Sequence, residues 1–156
     1  VTSAPDKREM EKAKKILSLV RTSESSFIDL CGKTNIKQLA AISEVSDLFF
    51  GVDSAPMHIA AAVGTPVVAL FGPSGAFHWG PWDNESSKLR VKSLEFKTPY
   101  PERNGIQTFG IHTVIQQDWK CIPCGKDGCD GSKISRCLEE IKTEEVINIL
   151  KGKLNI

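Results

Sequence analysis

The residues best placed to do chemistry in this 156-residue chain stand together as Asp53-Ser54-Ala55-Pro56-Met57-His58. A carboxylate, a hydroxyl and an imidazole fall where an apolar strand, 48–52, gives way to a helix, 55–63. A helix start offers unbonded backbone N–H groups and the positive end of a dipole to an anion such as a pyrophosphate. In that reading the amides of Ser54 and Ala55 meet a phosphate, Asp53 accepts from sugar hydroxyls, and His58, one turn on, faces the same cleft. Pro56 has no N–H to give, which a first helical turn tolerates. Ser54 is the expected N-cap. A capped helix with a satisfied, buried histidine explains the same six residues equally well.

Further groups cluster downstream. Gly72-Pro73-Ser74-Gly75 is compatible with a second backbone clamp on the ligand, and equally with a plain turn. It lacks the full dinucleotide glycine pattern and a Walker lysine, which argues against nucleotide hydrolysis. Trp79 and Trp82, in His78-Trp79-Gly80-Pro81-Trp82, either stack on a ligand or cover the sheet end. Cys121, Cys124, Cys129 and Cys137 contain one CxxC pair, but the second pair is too loosely spaced for a standard zinc ribbon. Structural zinc, disulfides and free thiols remain open, with reduced thiols the favoured reading and stable bridges disfavoured in a cytosolic protein. Cys31, at a strand end, reads as a small core residue.

The elements that position these groups alternate. A strand end at 1–5 leads to an amphipathic helix at 6–20 and, after a polar connection at 21–26, a short strand at 27–30. A helix at 35–46, the strand at 48–52, the helix at 55–63 and a strand at 67–71 follow. Gly64 can take the positive φ that stops a helix, and Thr65-Pro66 leads into the next strand. The β-α-β-α-β-α-β order predicts a parallel α/β sheet, and ligands bind such sheets at the carboxyl ends of the strands. Residues 81–110 are rich in Pro, Gly, Asn and charge, with one candidate strand at 89–94. A last strand at 111–115, a cysteine-rich loop at 119–138 and a closing helix at 143–150 with a capping-box pattern complete the chain.

Composition narrows the partners. Twenty Lys+Arg against 19 Asp+Glu argue against a general nucleic-acid binder. The length suits one domain, 1–156, and no apolar run approaches a membrane span. The abrupt start, with no Met, reads as a chain whose earlier part was cut away.

The stretch VDSAPMHIAAAVGTPVVALFGPSG, followed by HWGPW, resembles the lipopolysaccharide core heptosyltransferases of glycosyltransferase family 9. The tail CIPCGKDGCDGSKISRCLEEI is similar to heptosyltransferase III-type members. The resemblance implies a two-domain GT-B enzyme with Rossmann-like halves, of which this chain is the C-terminal, donor-binding half. It implies an inverting transfer of heptose from ADP-heptose to the lipopolysaccharide inner core, without a catalytic metal or other cofactor, in the cytoplasm or at the cytoplasmic face of the inner membrane. By the family motif Asp53 contacts the donor sugar, the amides of Ser54 and Ala55 hold the diphosphate beside Pro56 and Gly72, and His58 matches the family histidine. Glu9 is the match for the acidic residue that reaches the ribose. Ala55 replaces a glycine of many members, and Pro56 removes one possible amide donor. The general base and a phosphate-holding basic residue are expected outside this stretch, so the stretch alone is expected to bind donor weakly and catalyse nothing. A GT-B sugar-nucleotide epimerase and a metal-stapled binding module are the rival readings.

Overall fold

The computed structural model describes residues 1–20, 27–84 and 99–156. They divide into two compact units, Val1–Ala41 and Ile42–Ile156. The polar connection expected at 21–26 and the candidate strand at 89–94 lie outside the described residues.

In the first unit, helix α1 (Lys7–Leu19) starts at Asp6, whose carboxylate accepts from the amides of Arg8 and Glu9 at 2.9 and 3.2 Å. These bonds satisfy two donors that a helix start leaves without an internal partner. The strand expected at 27–30 is not a regular one. Its backbone instead alternates with the chain start: Val1 N bonds Ile28 O, Leu30 N bonds Val1 O and Gly32 N bonds Ser3 O, at 2.9–3.0 Å. That is the offset of a parallel pair, over too few residues to build a ladder. Cys31 is buried there, as its position suggested. Helix α2 (Ile36–Glu44), which runs across the boundary between the units, opens with a reciprocal capping box. Asn35 Oδ1 accepts from Gln38 N and Gln38 Oε1 from Asn35 N.

The second unit is built on four strands: β1 (Phe49–Val52), β2 (Val67–Leu70), β3 (Gln107–Phe109) and β4 (His112–Ile115), in spatial order β1-β2-β4-β3. The first three in that order are parallel, and β3 returns antiparallel along β4. The parallel α/β sheet expected from the alternation is observed, with β3 as an antiparallel addition, and it is consistent with the Rossmann-like class that the resemblance implies. Period-two alternation sends Val67, Ala69 and Val114 to one face, against Met57, Ala60 and Ala61 of helix α3 (Ala55–Ala62). Val68, Leu70 and Ile115 face the other way, against Val146, Ile149 and Leu150 of the closing helix, Thr143–Leu154. Helices therefore cover both faces of the sheet, which suits the apolar run of β2.

Helix α3 ends as its sequence indicated. Gly64 takes φ +85°, and the amides of Gly64 and Thr65 return to the carbonyls of Ala61 and Ala60. Thr65 Oγ1 then donates to Ser43 O at 2.6 Å, with both residues buried, and so fixes the end of α2. The one-turn helix α4 (Ala76–Trp79) and strand β3 were hidden in glycine- and proline-rich sequence. Residue 110 must be glycine: φ is +56°, and a Cβ would collide with the Asp83 carboxylate, which accepts from Ile111 N at 2.9 Å. His112, buried in β4, is held below the usual imidazole range by burial and by Lys153, against the opposing pull of Asp83 and a backbone hydrogen bond at Trp82.

Beyond β4 lie a short 3-10 turn (Cys129–Gly131), helix α5 (Arg136–Glu139) and the closing helix α6 (Thr143–Leu154). The expected capping box at α6 does not form. Lys142 occupies the N-cap position without a side-chain bond, so charge carries the helix ends, with Glu144 and Glu145 in the first turn and Lys151 and Lys153 in the last.

Candidate functional site

The parallel register pairs Phe49 with Val67 and Val52 with Leu70, so the segments after β1 and β2 emerge at one edge of the sheet. Leu70 pairs in turn with Ile115, which brings the segment after β4 to that same edge. Asp53 and Ser54 therefore meet Gly72–Gly75 and Gln116 across three neighbouring strand ends.

Ser54 stands at the N-cap position with extended backbone, but its hydroxyl does not cap. Its Oγ turns back to donate to Val52 O at 3.2 Å. The amides of Ser54 and Ala55 donate to no acceptor among the described residues, and Pro56 sits in the first turn. Met57 N returns to Ser54 O at 3.1 Å. The start of α3 is thus left open toward an anion, more so than a serine cap would have left it. His58 is exposed, which removes the buried, satisfied histidine as an explanation.

Asp53 does not stand alone. Ser74 Oγ donates to its Oδ2 at 2.5 Å, so the carboxylate ending β1 is bonded to the loop ending β2. That loop is anchored by the carbonyls of residues 72, 73 and 74. Gln116 Nε2 donates to Gly72 O and to Ser74 O, each at 2.7 Å. Pro73 O accepts from Cys124 N at 3.0 Å and Gly125 N at 2.9 Å. A trans peptide holds its N–H opposite its carbonyl, so this anchoring turns the amides of Ser74 and Gly75 away from Gln116 and the tail. Neither of those amides donates a hydrogen bond among the described residues. Gly72 is buried, and a Cβ there would lie 2.9 Å from Leu138 Cδ1, so its small size serves close packing.

Sequence reasoning picked out Asp53, Ser54, Ala55, Pro56, His58 and Gly72, and the fold places all six on one helix start and its neighbouring loop. Glu9 belongs to the first unit, where its Oε2 accepts from Ala4 N at 2.9 Å. Gln116 was missed. It directly follows an apolar strand in a parallel sheet, a signal that could have found it. Both tryptophans are exposed, and Trp82 also lies edge-on to Phe109 with centroids 5.8 Å apart.

The cysteine-rich tail braces the site through its backbone. All five cysteines are free thiols, with Cys121 and Cys124 exposed and Cys137 buried. Burial pushes the Cys137 thiol up, and neighbouring Cys129 and Cys124 add to the shift. Among the described residues no three His, Cys, Asp or Glu side chains are grouped to hold a metal ion. Arg103 and Asn104 hold the carbonyls of Ile122, Lys120 and Trp119, which fixes where the tail begins. No helix among the described residues is long and apolar enough to cross a membrane.

A mainly parallel α/β sheet with open amides and a held carboxylate at its carboxyl edge is the class of fold that binds ligands at that edge. Residues 1–103 match the sequence profile of glycosyltransferase family 9 (heptosyltransferase), and the chain belongs to that family. It is 30% identical over 148 residues to lipooligosaccharide heptosyltransferase 2 of Campylobacter jejuni serotype O:2, covering 95% of this chain and 38% of that protein. It is 42% identical over 84 residues to lipopolysaccharide heptosyltransferase 3 of Escherichia coli, covering 54% of this chain and 24% of that protein. With lipopolysaccharide core heptosyltransferase OpsX of Haemophilus influenzae it shares 39% identity over 89 residues, or 57% of this chain and 25% of that protein. The chain thus spans less than two fifths of the length of these curated relatives. No solved structure matches it at the same level of significance.

Proposed function

We propose that this chain is the donor-binding half of a GT-B heptosyltransferase that moves heptose from ADP-heptose to the lipopolysaccharide inner core. The observation that carries this reading is the Asp53 carboxylate, held by Ser74 beside the unbonded amides of Ser54 and Ala55. Carboxylates suit sugar hydroxyls and convergent backbone amides suit phosphate oxygens, so one edge offers both halves of a nucleotide-diphosphate sugar.

In the reaction, an acceptor hydroxyl attacks the anomeric carbon as the bond to the ADP oxygen breaks. The proton passes to a general base supplied by the other half of the enzyme. Negative charge grows on the departing diphosphate, and the amides of Ser54 and Ala55 stabilise it without reorganising. The amides of Ser74 and Gly75 lie on the neighbouring loop as a second set of donors. Asp53 orients the heptose, whose transition state is oxocarbenium-like, and His58 completes the donor contacts of this edge. Closure of the two halves excludes water and limits donor hydrolysis. The enzyme works in the cytoplasm, at the face of the inner membrane where its acceptor is held.

The test is transfer by the full-length enzyme from ADP-heptose to core lipopolysaccharide lacking the added heptose, read by mass spectrometry. A mass gain of one heptose, formed far more slowly by Asp53→Ala, supports the reading. No gain, or undiminished transfer by Asp53→Ala, overturns it.

A further inference from the structure

We propose that Ser74 and Gln116 are positioning residues that set the Asp53 carboxylate for the donor sugar, acting as a relay across three strand ends. The proposal rests on the donor-binding role given to Asp53 above and adds what holds that group in place.

A carboxylate only accepts, so the Ser74 hydroxyl is the donor in their 2.5 Å bond. The bond occupies Oδ2 and leaves Oδ1 without a partner among the described residues, one oxygen clamped and one free for a sugar hydroxyl. Ser74 can do this only while its backbone is held. Both groups that Gln116 touches are carbonyl oxygens, so its NH2 must face them and the side-chain amide cannot flip. That orientation leaves Gln116 Oε1 buried with no hydrogen-bond partner among the described residues. Native interiors rarely tolerate such an atom without a reason. Packing alone is no reason, since an aliphatic side chain would fill the space without the mismatch. What glutamine supplies is one NH2 group bridging the carbonyls of residues 72 and 74, which fixes the turn that presents the Ser74 hydroxyl. The relay thus runs from Gln116 after β4, through Ser74 after β2, to Asp53 after β1.

The test is a set of double-mutant cycles in the full-length enzyme, with KM for ADP-heptose and kcat measured separately. Ser74→Ala and Gln116→Ala are each expected to raise the donor KM about tenfold, the size of one lost hydrogen bond to a charged group. In an Asp53→Ala background Ser74→Ala should not raise it further, because the group it positions is gone, and Gln116→Ala should keep only the smaller part of its effect that comes from loosening the Ser74 and Gly75 amides. Ser74→Thr, which keeps the hydroxyl, should retain wild-type KM. A general loosening of the fold would act equally in both backgrounds, so equal factors with and without Asp53 overturn the proposal. Ser74→Ala and Ser74→Thr carry the test if Gln116→Ala fails to fold. If Asp53→Ala alone leaves the donor KM unchanged, the donor-site reading itself falls, a result distinct from failure of the relay.

Discussion

Replacing Gln116 by leucine gives a stability change whose size follows from the hydrogen bonds around it. The wild-type side chain donates two bonds of 2.7 Å, to Gly72 O and Ser74 O, and keeps one buried acceptor, Oε1, unmet among the described residues. Leucine has similar bulk, so the change is mainly polar. It strands two carbonyls and removes one orphan, each worth about 1–3 kcal/mol. One unmet acceptor remains as the difference, a net loss of about 1–3 kcal/mol. For a chain of this size that lowers the unfolding midpoint by roughly 3–9 °C. Gln116→Glu sharpens the test, because an ionised carboxylate has no donor and faces two carbonyl oxygens. Its folded-state pKa must rise above the ordinary glutamate value of about 4.3. The folded form then holds the extra proton, and stability falls as pH climbs from about 4.3 toward 7. Thermal unfolding followed by circular dichroism at pH 5 and pH 7 reads both variants. A leucine variant as stable as wild type, or a glutamate variant with the same deficit at both pH values, would refute the assignment of Nε2 to the two carbonyls.

Two further outcomes are expected. Because His112 is held below its ordinary pKa, the unfolded chain binds the proton more readily. Stability should therefore be complete above about pH 6.5 and decline as pH falls below it, with His112→Asn declining less over the same window in pH-dependent urea unfolding. Iodoacetamide labelling read by peptide mass spectrometry should reach the exposed Cys121 and Cys124 first. Buried Cys31 and Cys137 should lag, Cys137 also because its thiol is pushed up.

The run from β1 to β2 was legible because each boundary carries its own local signal. A serine and proline open α3, Gly64 closes it, and Thr65-Pro66 starts the next strand. Strand β3 was not legible: three residues, Gln107–Phe109, offer no period to read, and their pairing is set by the turn at Gly110 and by Asp83. At the site, sequence located Asp53 and the open helix start but misread the Ser54 hydroxyl. A serine after a strand can turn toward the strand's last carbonyl as easily as toward the helix, and here Val52 O takes it. The bond from Ser74 to Asp53 spans 21 residues, and the anchors from Gln116 span 44 and 42. Such contacts depend on strand order, which local pattern does not encode. The cysteine spacing likewise left zinc, bridges and thiols open, and gave no hint that the backbone of Cys124 and Gly125 holds Pro73.

On the proposed function, the Asp53–Ser74 edge takes an adenine nucleotide sugar. Calorimetric titration of the full-length protein with ADP and with UDP tests it most directly. Saturable binding of ADP in clear preference to UDP is expected; a preference for UDP, or binding of neither, rules out an adenine nucleotide sugar as the donor.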